Sequence, residues 1–192
     1  GPVDGILNHD SDAMTIPAYK SSVALRNTAV DATFIPPHYD SSRRWSSGFM
    51  LRRTINGSQH MVVIDSNRHW YHYVRIGTAN AERIAYKESL HIAVGQGSTN
   101  HVRVMAVDDR GWLFINGNYV AELDLSGWSE AGDVKAIGPI FNGQQYSGEF
   151  TEFKDFRVSS LQLAFGPEDG SIEHVPGRIS YKRSNVVLAD AI

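Results

Sequence analysis

The chain has 192 residues, 42% hydrophobic and 20% charged, an ordinary globular composition with length to spare for one buried core. A formal net charge of −3 gives no electrostatic case for nucleic acid or an anionic membrane surface as a partner. No apolar run approaches the ~20 residues of a membrane-crossing helix, so membrane insertion is not expected. The absence of cysteine excludes disulfides, thiolate metal sites and cysteine nucleophiles together.

In chain order, residues 3–20 are rich in turn formers, with Asp4-Gly5 and Asp10-Ser11-Asp12, and lead into a strand at Ser22-Val23-Ala24-Leu25. Ala29 to Ile35 is a second strand, stopped by Pro36-Pro37, which offer no N–H to a ladder. His38 to Ser47 is a polar loop carrying Arg43, Arg44 and Trp45. Gly48–Arg53, His60–Ile64 and the aromatic run Trp70–Ile76 read as strands separated by turns at Asn56-Gly57 and Ser66-Asn67-Arg68. Residues 79–90 suit either a short helix or, through Glu82–Tyr86, another strand.

The clearest local structure is a hairpin over residues 100–125. His101 to Val107 alternates apolar and polar positions, and Asp108-Asp109-Arg110-Gly111 turns it into Trp112-Leu113-Phe114-Ile115. Asn116-Gly117, the pair that best tolerates positive φ angles, turns that into Tyr119–Leu123. Val134–Phe141 is a strand interrupted by Gly138-Pro139, the mark of an edge or a bulge. In Gly148–Val158 the residues Phe150, Phe153 and Phe156 break the two-residue period, which predicts a bulge near Lys154. About a dozen short strands with regular turns and no long helix imply an all-β, antiparallel two-sheet sandwich.

The two ends of the chain echo each other. Gly1, Pro2, Asp4, Gly5 and His9 coincide at one offset with Gly166, Pro167, Asp169, Gly170 and His174. After a two-residue deletion, Ile16, Ser21, Val23 and Leu25 match Ile179, Ser184, Val186 and Leu188. The expected organisation is one domain over residues 3–164, then a linker and the first strands of a second, incomplete copy over 165–192. Chance similarity between two turn-and-strand segments is the competing explanation.

With the strands placed, the chain resembles the concanavalin A-like, laminin G-like jelly-roll domains of bacterial multidomain proteins. The resemblance rests on Asn100–Val104, Leu113–Gly117, Val120-Ala121 and Phe153–Val158, with Trp45–Phe49 and Arg52 like an earlier strand of those domains. It implies lectin-like binding, adhesion or sugar hydrolysis, at a location outside the cell or on its surface. It also implies structural calcium held by loop carboxylates, for which Asp108, Asp109 and Asp133 are the candidates here, with Asp10, Asp12 and Asp40 further afield. Turn-capping is the ordinary role of such residues. No other cofactor is expected.

Glucanases of this fold place carboxylates at alternate positions of one strand, because retaining hydrolysis needs two of them about 5–5.5 Å apart. Here Glu149 and Glu152 are three residues apart and would face opposite sides of a regular strand, so catalysis is not expected. His69 and His72 are likewise split by a strand and lack a third metal ligand nearby.

Aromatics are the better lead, since sugar rings stack their C–H faces on Trp and Tyr. On one strand Trp70 and His72 face one way and Tyr71 and Tyr73 the other, so one pair fills the core and the other lies on a sheet face. The candidate ligand residues are Trp70, His72, Trp128, Tyr146, Arg43 and Arg68, while Trp45 and Trp112 are expected in the core. The leading expectation is a non-catalytic module of a larger protein that recognises glycan or a cell-surface protein. A structural tandem-repeat unit that self-associates through residues 166–192 is the second. A glycoside-processing hydrolase of the same fold is the third.

Overall fold

The computed structural model describes residues 1–9, 16–36, 44–95, 97–139 and 149–161, together with the backbone of 170–175 and 178–183. Among these residues there are strands and no helix. In chain order they are β1 (Val3–Asn8), β2 (Ala18–Leu25), β3 (Thr28–Ile35), β4 (Ser46–Arg53), β5 (Gln59–Asp65), β6 (His69–Arg75) and β7 (Glu82–Glu88). Then come β8 (Asn100–Val107), β9 (Arg110–Ile115), β10 (Asn118–Asp124), β11 (Gly132–Ile137), β12 (Phe150–Ser160), β13 (Gly170–Val175) and β14 (Arg178–Arg183).

The first sheet has the order β1-β12-β3-β8-β9-β10 and the second β2-β11-β4-β5-β6-β7, with antiparallel pairing throughout. Strand alternation supplies the layer between them. Val30, Ala32 and Phe34 of β3, Val102, Val104 and Ala106 of β8, and Leu113 and Ile115 of β9 point inward from the first sheet. Phe49, Leu51, Val62, Ile64, Trp70, Val134 and Ala136 meet them from the second. Each of the valines, leucines, isoleucines and phenylalanines among them, taken fully from water, stabilises the sandwich by about 1.5–3 kcal/mol before entropy is counted. The fold class expected from the strand pattern is the one found.

The Asn116-Gly117 turn has positive φ at both residues, 50° and 79°, and pairs Ile115 with Asn118 across a two-residue loop. Asn116 also secures its surroundings, accepting from the His101 N–H and donating to the His91 carbonyl, both at 2.8 Å. The bulge expected near Lys154 is present: the β3–β12 register shifts between Lys154 and Arg157, and Asp155 has φ 55°. The extra residue explains the odd aromatic spacing, because it returns Phe156 to the face of Phe153 and buries both.

Three local expectations are corrected and one open choice is settled. Asp4-Gly5 is not a turn but part of β1, whose Leu7 joins the core. Gly5 lies against the Phe153 ring, where a Cβ would sit 2.5 Å from Cζ, and the Asp4 carboxylate accepts the N–H of bulged Asp155 at 2.9 Å. Of the two readings left open for residues 79–90, the strand is the one found, over Glu82–Glu88, and it completes the edge beyond β6. β11 stops at Ile137, before Gly138-Pro139, and is no edge, since it lies between β2 and β4; residues 140 and 141 of the expected strand lie outside the described residues. Trp112 is half-buried on the outer side of the first sheet, because its neighbours Leu113 and Gly111 occupy the inner positions. Trp45, by contrast, is core.

Within residues 165–192, β13 and β14 pair with each other in a hairpin. β1 and β2, their counterparts in the sequence echo, sit in different sheets.

Candidate binding face

The decisive local fact is the orientation of β6. Trp70 and His72 point into the sandwich and are 2% and 1% exposed, so neither has surface to offer a ligand. Their cross-strand neighbours Ile64 and Val62 are core residues, which forces that side of β6 inward. The expectation that Trp70 and His72 contact a ligand is therefore corrected: the outward pair is Tyr71 and Tyr73.

His72 instead belongs to a polar plug at one end of the sandwich. Arg52, fully buried with φ 54°, donates to three carbonyls: Arg26 (2.9 Å), Trp128 (3.1 Å) and Asp108 (2.5 Å). The indole Nε1–H of Trp128 returns a bond to the Arg52 carbonyl at 3.1 Å. His60 Nε2 lies 2.9 Å from the Trp128 carbonyl, and its Nδ1 lies 3.0 Å from His72 Nε2. A carbonyl can only accept, so in the neutral ring His60 Nε2 carries the hydrogen and Nδ1 accepts from His72. Burial, then the neighbouring His60 ring, pushes His72 down to about 3. Burial also pushes His60 down, partly offset by its bond to Trp128.

Trp128 is thus tied into this plug, and Asp108 gives its carbonyl to Arg52 and its carboxylate to Arg26 at 3.4 Å. Asp109 accepts the Leu125 N–H through its carbonyl, whereas Asp133 sits on the second sheet opposite Arg53. Among the described residues no group of three or more His, Cys, Asp or Glu could hold a metal ion. Arg68 is a left-handed turn residue (φ 61°) between β5 and β6. Arg43 and Tyr146, and the more distant Asp10, Asp12 and Asp40, lie outside the described residues.

The outer side of the second sheet gathers the remaining chemistry. Register places its residues in rows across the strands. One row runs Ile137, Gly48, Val63, Tyr71, Tyr86, and the next Lys20, Lys135, Met50, Met61, Tyr73, Arg83. The centre is closed, since Met50, Met61, Val63 and Ile137 form a second apolar cluster against which Ile16 and Tyr73 pack. Two flanks remain.

The flank at β6 and β7 is aromatic. Tyr86, 45% exposed, stacks on Tyr71 at 4.9 Å and on His69 at 4.5 Å, and Tyr71 stacks on Tyr73 at 5.9 Å. The Arg83 guanidinium lies 4.9 Å from the Tyr86 ring centroid. Asp65, fully buried, holds the platform from below: it accepts the Tyr71 hydroxyl at 2.7 Å and the N–H groups of Asn67 and His69 at 2.9 Å. Burial first, and then Asp65, push the Tyr71 phenol well above its ordinary range. The opposite flank, at β2, β11 and β4, is cationic, with Lys20, Arg53 and Lys135 around a groove.

No family model matches the chain, and no curated protein matches it. Solved structures do match its fold. The carbohydrate-binding module CBM66 of Bacillus subtilis aligns with a TM-score of 0.61 at 12% identity, over 83% of this chain and 92% of that one. A Bacteroides ovatus mixed-linkage glucan GH16 in complex with a G4G4G3G product aligns at 0.56 and 10% identity, over 82% and 80%. Sheep galectin-11 in complex with glycerol aligns at 0.53 and 7%, over 77% and 98%. The fold is the concanavalin A-like jelly roll. Identities this low bear on architecture alone, and this jelly roll serves binding modules and enzymes alike, so function must be argued from the site.

Two carboxylates on the outer face of the second sheet, Asp65 on β5 and Asp133 on β11, are too far apart to act as a hydrolase pair. They pair with Ser46 and Arg53, at opposite ends of β4. Seven residues of strand separate those positions by roughly 23 Å, far beyond the two-carboxylate spacing. Asp65 in addition spends its oxygens on three internal donors. Sequence reading passed over Tyr86 because it lay in the segment left open between helix and strand, where no face could be assigned.

Proposed function

We propose that this chain is a non-catalytic carbohydrate-binding module that takes glycan on the aromatic flank of its second sheet. The observation that carries the reading is the exposed Tyr86 ring held flat against Tyr71 and His69 at a sheet edge. A pre-stacked ring has little freedom left to lose when a sugar ring meets it, and the Arg83 guanidinium over the Tyr86 ring supplies donors for hydroxyls. Two structural neighbours, a carbohydrate-binding module and a galectin, support this reading. A module that reads glycan works where glycan is, so we place it at the cell exterior within a larger protein, with the 165–192 segment as the beginning of a second copy.

The test is a glycan array followed by calorimetry on the hits with Tyr86→Ala and Tyr73→Ala. Binding should weaken about tenfold or more in each variant. An array without hits, or hits whose affinity neither substitution alters, overturns the proposal. Release of reducing ends from any bound glycan would overturn its non-catalytic half.

A further inference from the structure

The cationic flank has a separate logic. Lys20 of β2 and Lys135 of β11 are directly paired across the strands. Like charges in that position, with Cβ atoms about 5 Å apart, destabilise a sheet. Asp133 is the carboxylate nearest in the pattern, and its own cross-strand partner is Arg53. Lys135 is only 7% exposed, yet among the described residues its ammonium has no ion-pair or hydrogen-bond partner. Burial, followed by the charges of Arg53 and Lys20, holds it below the ordinary lysine range against the single opposing pull of Asp133. Arg53 spends one N–H on Gln59 at 2.6 Å. Around these groups lies an open groove of about 550 Å³, with Ala24 and Ile55 as its apolar wall.

We infer that this groove binds a carboxylate-bearing sugar, the uronate residue of an acidic glycan, with the carboxylate between Lys20 and Lys135. An anion there converts the repulsive pair into two charge-assisted contacts, the strongest polar interactions the site could make. The groove has the volume of a small-molecule site rather than of a single inorganic ion. Its apolar wall suits the C–H face of a sugar ring. Arg53, facing the same space, reaches a second oxygen of the ligand. The closed centre of Met50, Met61, Val63 and Ile137 separates the groove from the aromatic flank, so this site does not depend on the tyrosines.

The experiment titrates the full chain with oligogalacturonate, oligoalginate and hyaluronan fragments. Methyl-esterified oligogalacturonate, inorganic phosphate and single-stranded oligo-dT are the comparison ligands. At least one acidic glycan should bind tenfold or more tighter than the methyl ester, phosphate and oligo-dT, and more weakly as salt rises. Lys20→Gln, at an exposed position, and Lys135→Met should each weaken that binding about tenfold, while Tyr86→Ala leaves it unchanged. Lys135→Met should also raise the melting temperature without ligand, since it removes an unpaired, nearly buried ammonium. Equal binding of acid and ester, or failure of all three acidic glycans, overturns the inference. So does tighter binding of phosphate or oligo-dT, or indifference to both lysine substitutions. Each of those outcomes leaves the Tyr86-dependent reading standing, and loss of neutral-glycan binding in Tyr86→Ala alone leaves the groove standing.

Discussion

The buried pair His60–His72 should make the sandwich acid-labile in a defined window. In the unfolded chain a histidine takes its proton near pH 6.5, whereas the interior holds His72 neutral down to about 3. Between those values the unfolded state binds a proton that the native state refuses, so stability is complete above about pH 6.5 and drains away as pH falls toward 3. The slope for one such group is about 1.4 kcal/mol per pH unit, so lowering pH from 6.5 to 4.5 removes about 3 kcal/mol through His72 alone. His60, shifted in the same direction by burial, adds to it. The perturbation is His72→Gln, which can keep an N–H aimed at His60 Nδ1 and cannot titrate. Urea denaturation of both proteins at pH 7.5 and 4.5 measures the effect, and their difference cancels the surface carboxylates. The variant should lose about 3 kcal/mol less than the wild type over that interval. Equal losses, within about 0.5 kcal/mol, would refute the neutral buried His72.

Other substitutions test the scaffold. A Cβ at Gly48 would stand 2.1 Å from the Val62 carbonyl oxygen and 2.8 Å from Val63 Cα, both backbone, so Gly48→Ala should cost about 3 kcal/mol or more by thermal unfolding. Gly138→Ala, whose nearest contact would be an ordinary 3.5 Å, should be close to neutral. Arg52→Met takes a donor from three carbonyls, of which that of Trp128 keeps the one from His60, and should cost about 3 kcal/mol. Arg52→Lys should not restore it, because one ammonium cannot match the guanidinium fork. Tyr71→Phe removes one of three donors to buried Asp65 and should cost about 2 kcal/mol in urea denaturation, loosening the aromatic flank as well.

The features that could be read from the chain are those set by neighbours in sequence. The turn at Asn116-Gly117 follows from two residues that tolerate positive φ, and the bulge in β12 from the spacing of Phe153 and Phe156. Alternation in β8 settles its own inner face, since Val102, Val104 and Ala106 are apolar while His101 and Arg103 are not. On β6 the same rule fails to choose. Trp70/His72 and Tyr71/Tyr73 are both aromatic and partly polar, so either pair satisfies the pattern. The choice falls to Val62 and Ile64 on the neighbouring strand.

Local sequence therefore determined a two-sheet antiparallel sandwich, because period-two alternation and turn chemistry act over a few residues. Tertiary structure alone decided which face of each ambiguous strand meets solvent and which distant groups meet. Lys20 and Lys135 are separated by most of the domain, and they become neighbours only because β2 enters the second sheet beside β11 and not beside β1. Tyr86 joins Tyr71 through the register of the consecutive strands β6 and β7, which could be assigned only once residues 82–88 were known to be strand. Lysines so far apart in the chain leave no periodic signal of their meeting, and the face of Tyr86 follows from pairing and not from its own segment, so both flanks became visible only in the assembled sheet.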